Sequence, residues 1–212
     1  MDSIALLREA IEVSPDDLLC VKTIDAVMKD VLAVVNADLQ RDINWLVKTH
    51  MLRNQLEMGA DKSLTTATRR LRHYLTMVVV PTHRKAMTGL LLRDHNLSVE
   101  RLRYAARYRE AVPRQFRLCR FRRGNVEGEV RAIFDCIAEG RLIQLRTEFL
   151  KELTICDLGI ARLYGSMPNY DFMLKLVPSR KAVRIFAKFI YLVLCVFQDT
   201  PCYFPVVFRV PG

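Results

Sequence analysis

Apolar residues recur at three- and four-residue steps along most of the chain, and this period predicts a mainly α-helical fold. The clearest stripe comprises Leu18, Val21, Ile24, Met28, Val31, Leu32 and Val35. Just before it, Ser14-Pro15-Asp16-Asp17 supplies a capping hydroxyl, a first-turn proline and acids that favour a helix amino terminus. We therefore predict a helix that begins near residue 15 and continues past residue 35.

Glycine, proline and serine set the expected ends of the next elements. A second helix is predicted over residues 41 to 58, closed by Gly59. Ser63 begins a further stretch, which Pro81 ends after the β-branched run at 78–80. Beyond Pro81, helices are predicted over residues 81–92, 98–110, 127–136 and 141–153, with turns at 94–96 and 124–125.

The last two predicted helices begin at Pro168 and Ser179, and the final one runs to Gln198. That helix is apolar on nearly all sides, which favours a central core helix over a helix that binds a partner or a membrane surface. The tail after Thr200 contains three prolines and is expected to be extended or looped.

The chain contains no internal repeat and no linker rich in glycine or serine. We expect a mainly α fold, an irregular multi-helix bundle with a short, degenerate zinc-knuckle-like loop and an extended carboxyl-terminal tail. Three parts are expected: an apolar helical part at 1–80, a basic segment at 81–155, and helices with a tail at 156–212 that pack on the same core.

Positive charge is concentrated in one central block. The 212-residue chain has a net charge of +10. Residues 69–131 hold fifteen arginines and one lysine against five acids, a balance of +11, so the remainder carries −1. The hydrophobic content of 51% is too high for a disordered chain.

Cysteine usage and the apolar runs bear on the cellular compartment. Six cysteines occur at irregular spacings, and the first residues lack the basic and apolar regions of a secretory leader. We expect free thiols in a reducing intracellular compartment, nuclear or cytoplasmic, and no secretion. The longest apolar run has nine residues, whereas a membrane span needs about 20, so no membrane association is expected.

A metal-site pattern with two ligands missing lies inside the basic block. With Cys at position 122 and His at position 131, the spacing would be C-x2-C-x8-H-x4-C, that of a zinc knuckle. Only Cys119 and Cys136 remain, because Arg122 and Arg131 have no lone pair to donate. We expect no bound metal and no cofactor, unless other ligands such as His83 or His95 complete a zinc site. A disulfide between the two cysteines is geometrically open but disfavoured inside a cell.

Several short blocks between Pro81 and Phe149 occur in a recognisable order. They are Thr82-His83-Arg84-Lys85-Ala86, Leu90-Leu91-Leu92, Asp94-His95, Val99-Glu100-Arg101-Leu102-Arg103-Tyr104, Val112-Pro113-Arg114, Leu118-Cys119-Arg120-Phe121, Val126-Glu127-x-Glu129-Val130, Cys136 and Leu145-Arg146-x-x-Phe149. This order resembles the zinc-binding tail that follows the reverse transcriptase domain in non-LTR (LINE-type) retrotransposon polyproteins. The resemblance implies a degenerate copy in which Cys119 and Cys136 are former zinc ligands and nearby basic residues contact nucleic acid.

The polymerase itself is not expected in this chain. A reverse transcriptase needs paired aspartates on a β-hairpin to hold two magnesium ions. The one Asp-Asp pair, Asp16-Asp17, follows a proline at a predicted helix start and is a capping position. No serine, histidine and aspartate set and no glycine-rich phosphate loop is recognised. We predict that the chain is not an enzyme.

The arginines of the central block are the candidate nucleic-acid contacts. They are Arg101, Arg103, Arg107, Arg109, Arg114, Arg117, Arg120, Arg122 and Arg123, with Phe116 and Phe121 interleaved. Guanidinium groups bind phosphates bidentately, and both guanidinium groups and phenyl rings stack on unpaired bases. Non-specific RNA or DNA binding is the predicted function, and a merely solvated basic face is the alternative.

Two other interpretations remain open. The chain could be a helical protein-interaction module that docks a partner through its apolar amino-terminal helices or through Val206-Val207-Phe208 in the tail. It could also be a non-functional retroelement remnant whose apolar helix faces lost their original partner and promote aggregation.

Overall fold

The computed structural model of the chain describes residues 20–53, 56–58, 64–66, 72–106 and 109–208. The mainly α-helical prediction is confirmed. The α-helices are α1 (Val21–Trp45), α2 (His73–Met77), α3 (Pro81–Leu91), α4 (Ser98–Arg101), α5 (Gly140–Cys156), α6 (Leu158–Ala161), α7 (Asn169–Leu176) and α8 (Val183–Gln198). Short 3-10 helices cover Val47–Leu52, Arg114–Phe116 and Val206–Phe208, and a π-helical turn covers Arg131–Asp135. Two strands, β1 (Leu56–Met58) and β2 (Leu64–Thr66), pair antiparallel with Leu56 opposite Thr66.

The chain divides into two compact units, Met1–Arg53 and Asn54–Gly212. The division falls inside residues 1–80, which the sequence pattern had suggested as one part. In the first unit, α1 carries the predicted apolar stripe. Its predicted beginning at Ser14 to Asp17 lies outside the described residues.

The predicted helix over residues 41–58 is wrong beyond Trp45. Leu46 and Arg53 both have extended backbones, so the helix ends and a 3-10 turn follows it. The Arg53 side chain donates to the carbonyls of Ile43, Trp45 and Leu46, which occupies acceptors at the end of α1. Residues 56–58 then form a strand. Gly59 and Ser63, the predicted cap and start, lie outside the described residues.

Helix α8 lies in the core of the second unit, as its apolar sequence predicted. It packs against α2, α3 and α5. Its ring contacts include Phe189, which stacks on Phe149 of α5 with centroids 4.5 Å apart. Its end at Gln198 also agrees with the prediction. None of the described helices is long and apolar enough to cross a membrane.

Proline and glycine shape the segment that leads into the basic block. Pro81 occupies the first turn of α3, and α2 ends at Met77, so the predicted break is confirmed. After α3 the chain turns back so closely that a side chain at Gly89 would begin 2.6 Å from the carbonyl oxygen of Asp94. This turn places His95 and Asn96 beside the core.

The helix predicted over residues 98–110 ends at Arg101. Three of its carbonyl acceptors are taken by groups from later in the chain. The Val99 carbonyl accepts from Nη1 of Arg117, the Arg101 carbonyl from the Arg109 guanidinium, and the Leu102 carbonyl from the amide of Val112. Tertiary hydrogen bonds therefore replace the next helical turn. Of the predicted helix over 127–136, the structure contains the π-helical turn and the two residues before it. The helices predicted from residue 141 and from Pro168 are confirmed by α5 and α7.

Candidate functional site

The two cysteines of the knuckle segment, defined as residues 118–136, lie side by side. Their Sγ atoms are 3.9 Å apart and both residues are fully buried. An isolated β-bridge pairs Leu118 with Val126, and the Cys119 amide donates to the Asn125 carbonyl at 2.8 Å. The chain turns between these paired residues, and this turn includes the one predicted at residues 124–125. Cys136 follows Cys119 by seventeen residues and comes directly after the π-helical turn. There its sulfur lies next to the sulfur of Cys119.

Hydrogen bonding shifts the pKa values of the two cysteines in opposite directions. The hydrogen bond from Cys136, followed by the backbone amides of Phe121 and Arg122 and the Arg131 side chain, lowers the pKa of Cys119. The same hydrogen bond and burial raise the pKa of Cys136. The pair therefore favours negative charge on the Cys119 sulfur over the Cys136 sulfur.

Zinc does not fit this site as it stands. Two thiolates on a tetrahedral zinc ion, with bonds of about 2.3 Å, lie about 3.8 Å apart, so the sulfur separation matches half of a ligand set. Position 131, however, holds an arginine, which has no lone pair to donate to a metal ion. His95 is bonded to Glu129, and His83 packs on Tyr191. Within the described parts of the chain, no three histidine, cysteine or acidic side chains form a group that could hold a metal.

Glu127 and Arg120 form a buried ion pair that the sequence analysis missed. The carboxylate accepts from the amide and hydroxyl of Ser98 at 2.7 and 2.8 Å, and from the Arg120 amide and guanidinium at 2.9 and 2.6 Å. The guanidinium also donates to the carbonyls of Phe197 and Thr200. This network joins the knuckle segment to the carboxyl end of α8.

The sequence-based assignment of Arg120 to nucleic-acid contact needs correction. Its side chain is only 3% exposed, and its guanidinium is bonded to Glu127 and to backbone carbonyls. A phosphate group has no route to it without breaking the ion pair. Arg120 is a structural residue because the charge of Glu127 and the open end of α8 hold it inside.

Glu129 forms a second buried cluster with Arg93 and His95. Its Oε1 lies 2.9 Å from Nε of Arg93 and 3.3 Å from Nε2 of His95. Burial by itself would raise the pKa of Glu129, but the His95 hydrogen bond and the Arg93 charge outweigh it and lower the pKa to about 2. The sequence could have indicated that these two glutamates are buried. Glu127 and Glu129 are two of only five acids in the basic block, and each lies next to an apolar residue.

Arg146 anchors the far end of the knuckle segment. Its buried guanidinium donates to the carbonyls of Ile133 at 3.1 Å and Cys136 at 3.0 Å. Three residues later, Phe149 enters the core beside α8. The Leu145-Arg146-x-x-Phe149 block thus positions Cys136, a role that the sequence did not reveal.

The other candidate arginines divide by exposure. Arg101, Arg114, Arg122 and Arg123 are exposed. Arg103, Arg109 and Arg117 are partly buried and hold local structure. Arg107 lies outside the described residues. Burial lowers the pKa of Arg117, and its charged neighbours include Glu100, Arg103 and Arg114, which places these groups close together.

Aromatic side chains accompany the exposed arginines in two places. We define the arginine–aromatic surface as Arg101, Arg103, Tyr104, Arg114 and Phe116. Its Tyr104 and Phe116 are 55% and 43% exposed. The ring of Phe116 is supported from behind by Phe208 at 5.5 Å. The knuckle loop carries Arg122 and Arg123, and the Arg123 guanidinium lies over Tyr203 at 4.6 Å. Phe121, in contrast, packs edge-on against Phe197.

Comparisons with known proteins found no matching family model, no matching curated protein and no matching solved structure.

Proposed function

We propose that the chain is a non-enzymatic, retroelement-derived helical protein with a disabled zinc knuckle, and that it binds RNA or DNA without sequence specificity. The observation that carries the proposal is the arginine–aromatic surface. Exposed Arg101 and Arg114 supply charge there, and Tyr104 and Phe116 supply rings. Such a combination favours single strands, whose phosphates and unstacked bases are both accessible.

Charge compensation inside the molecule strengthens the basic character of its surface. Glu100, Glu127 and Glu129 are buried or nearly so and are paired with Arg103, Arg120 and Arg93, respectively. Three of the five acids in the central block are thereby neutralised, two by buried arginines and one by the partly buried Arg103. The excess arginines remain on the outside, where they attract polyanions through counterion release.

The buried residues support the proposed ancestry. Cys119 and Cys136 remain adjacent, and the blocks that carry the resemblance contribute Glu127, Glu129 and Arg146 to the framework around them. Each of these contacts is made between groups of the chain itself. A decayed zinc site that retained its supporting framework accounts for this arrangement.

The test is binding of the full chain to a labelled single-stranded RNA over a salt series. The variant changes the exposed residues Arg101, Arg114, Arg122 and Arg123 to Gln. Removing four phosphate contacts should reduce the slope of log affinity against log salt by about 3, because each contact to single-stranded nucleic acid contributes about 0.7. The buried Arg120 is left unchanged so that the fold is preserved.

A matched control changes four exposed basic residues outside the central block to Gln: Arg162, Lys175, Arg180 and Lys181. Net charge falls equally in the two variants, so only the position of the charge differs. If both variants lost the same affinity, the loss would be due to net charge and not to the position of the arginines. Negligible binding of RNA by the folded wild-type chain at low salt would refute the proposal.

Protein docking through α1 is the second candidate function, and one observation favours it. This 25-residue helix has no buried residue, and its apolar stripe includes Met28, Leu32 and Val35, all exposed. Changing these three residues to Ser should abolish concentration-dependent assembly in sedimentation equilibrium. Assembly that is insensitive to both the substitutions and RNA would argue against docking at this stripe.

A further inference from the structure

The cysteine pair has the geometry of a dithiol that is ready to form a bond. The Sγ atoms of Cys119 and Cys136 are 3.9 Å apart, and a disulfide requires about 2.0 Å. Both residues are fully buried in the knuckle segment, so a movement of about 2 Å between the two sulfurs is all that the bond requires. The described residues contain four other cysteines, Cys20, Cys156, Cys195 and Cys202, and all are less buried than this pair.

We propose that Cys119 and Cys136 form a reversible disulfide with a small peroxide as the oxidant, so that the former zinc-ligand pair is a redox modification site. This inference goes beyond nucleic-acid binding and does not depend on it.

The exposed loop borders the pair through Asn125. The Cys119 amide donates to the Asn125 carbonyl at 2.8 Å, and in the amide orientation that satisfies both of its neighbours, the Asn125 side chain accepts from Nη1 of Arg131 at 3.0 Å. When Cys119 reacts first with the oxidant, Cys136, 3.9 Å away, is in place to close the bond, and the reverse order leads to the same product.

The reaction balances with peroxide alone. The Cys119 sulfur attacks one peroxide oxygen, the O–O bond breaks, and the leaving hydroxide takes a proton from solvent to become water. Cys119 is then a sulfenic acid. The Cys136 sulfur attacks the Cys119 sulfur, its S–H proton leaves with the displaced hydroxide as a second water, and the S–S bond forms. Two electrons pass from the sulfurs to the peroxide.

Burial restricts the oxidant to a small molecule. Neither cysteine is exposed to solvent, while Arg122, Arg123, Gly124 and Asn125 form the exposed loop beside them. Peroxide is close to water in size, whereas glutathione disulfide is too large to reach two fully buried sulfurs. The Arg131 cation also discourages metal ions from competing for the same sulfurs.

The experiment treats the folded full chain with hydrogen peroxide, blocks the remaining thiols and maps the peptides by mass spectrometry. A Cys119–Cys136 cross-linked peptide lighter by two hydrogen atoms is expected, and a dithiol reductant should remove it. In the urea-unfolded chain the same cross-link should form about tenfold more slowly, because the two sulfurs are no longer held 3.9 Å apart. Glutathione disulfide should not replace peroxide in the folded chain.

Two variants test the roles. In Cys136→Ser, the Cys119 sulfenic acid should persist and react with dimedone. In Cys119→Ser no cross-link should form, whereas Arg141→Gln, at an exposed arginine outside the knuckle segment, should leave cross-linking unchanged. Oxidation confined to the exposed Cys20 and Cys156, equal cross-linking rates in folded and unfolded chains, or one zinc ion bound per untreated chain would each overturn the proposal.

Discussion

Glu127 connects three segments that are far apart in the sequence. Its carboxylate accepts from Ser98 at the start of α4 and from Arg120 in the knuckle segment, and Arg120 reaches the carbonyls at the end of α8. The charges are fully desolvated, so the pair contributes little net stability compared with apolar side chains but is costly to break. Its value to the fold lies in fixing the arrangement of these segments.

Replacing Glu127 with Ala should lower the free energy of unfolding by about 3–5 kcal/mol, because the Arg120 charge would remain buried without its partner. The double variant Arg120→Met, Glu127→Leu should lose less, since both charges leave together. Urea unfolding followed by circular dichroism measures both effects. The control Glu148→Ala alters an exposed glutamate of α5 and should stay within about 0.5 kcal/mol of wild type. A free energy of unfolding for Glu127→Ala equal to that of wild type would contradict the role assigned to the Arg120–Glu127 pair.

Glu129 makes stability depend on pH at the acidic end. The carboxyl has an ordinary pKa of 4.5, which falls to about 2 in the folded chain. A depressed pKa means that the folded state favours the carboxylate, so its contribution is complete above pH 4.5 and disappears as the pH falls to about 2. The contribution at neutral pH should be about 3 kcal/mol.

The corresponding measurement compares urea unfolding of wild type and Glu129→Gln over a pH series. The stability difference should be largest near neutral pH and should shrink steadily below pH 4.5, where wild type also loses its negative charge. A difference that stayed constant down to pH 2 would show that Glu129 acts only by packing.

At the scale of elements, the knuckle segment holds two of the four ligands of a tetrahedral metal site in place. The Sγ atoms of Cys119 and Cys136 are 3.9 Å apart, and Arg146 donates to the carbonyl of Cys136. Two thiolates on a tetrahedral zinc ion lie about 3.8 Å apart, and positions 122 and 131 would complete the C-x2-C-x8-H-x4-C spacing. We therefore predict that two substitutions are enough to complete a tetrahedral site.

The double variant Arg122→Cys, Arg131→His should bind one zinc ion per chain, measured by metal analysis after dialysis and by competition with a chromogenic chelator. A complete set of four ligands in structural zinc peptides binds with about 10 kcal/mol or more, so retention through dialysis is expected. The control Arg122→Cys, Arg141→His has the same composition but places the histidine outside the knuckle segment. Zinc bound equally by both variants would contradict the geometric prediction.

At the scale of the whole molecule, the two units differ in what they contain. The core around α8, the cysteine pair, the arginine–aromatic surface and the knuckle segment all belong to the unit Asn54–Gly212. The unit Met1–Arg53 contains α1 with its exposed apolar stripe. The proposed nucleic-acid binding and the proposed oxidation of the cysteines therefore both concern residues of the second unit.

A fragment of residues 54–212 should fold alone, with a thermal midpoint within about 4 °C of the corresponding transition in the full chain, since less than about 1 kcal/mol should be lost. A fragment of residues 81–212 should be clearly less stable because it lacks α2, whose buried Tyr74 lies 3.3 Å from Thr88 of α3. Calorimetry of the two fragments measures this. Failure of the longer fragment to unfold cooperatively would show that the first unit is needed for folding.

The sequence by itself determined the features that depend on local periodicity and composition. The stripe of α1, the start of α3 at Pro81, the end of α8 at Gln198 and the choice of Cys119 with Cys136 all follow from residue spacing. Each depends on neighbours within a few positions along the chain, or on a spacing pattern that the resemblance supplied.

Only the tertiary structure decided which polar groups turn inward. Helix α4 stops at Arg101 because distant groups take its carbonyls, and Arg120 is buried because Glu127 and the end of α8, 77 residues away, complete its hydrogen bonds. Arg120 and Arg122 are two positions apart in sequence, yet one is structural and the other exposed. Charge patterning locates a basic block, but burial depends on partners that meet only when the chain folds.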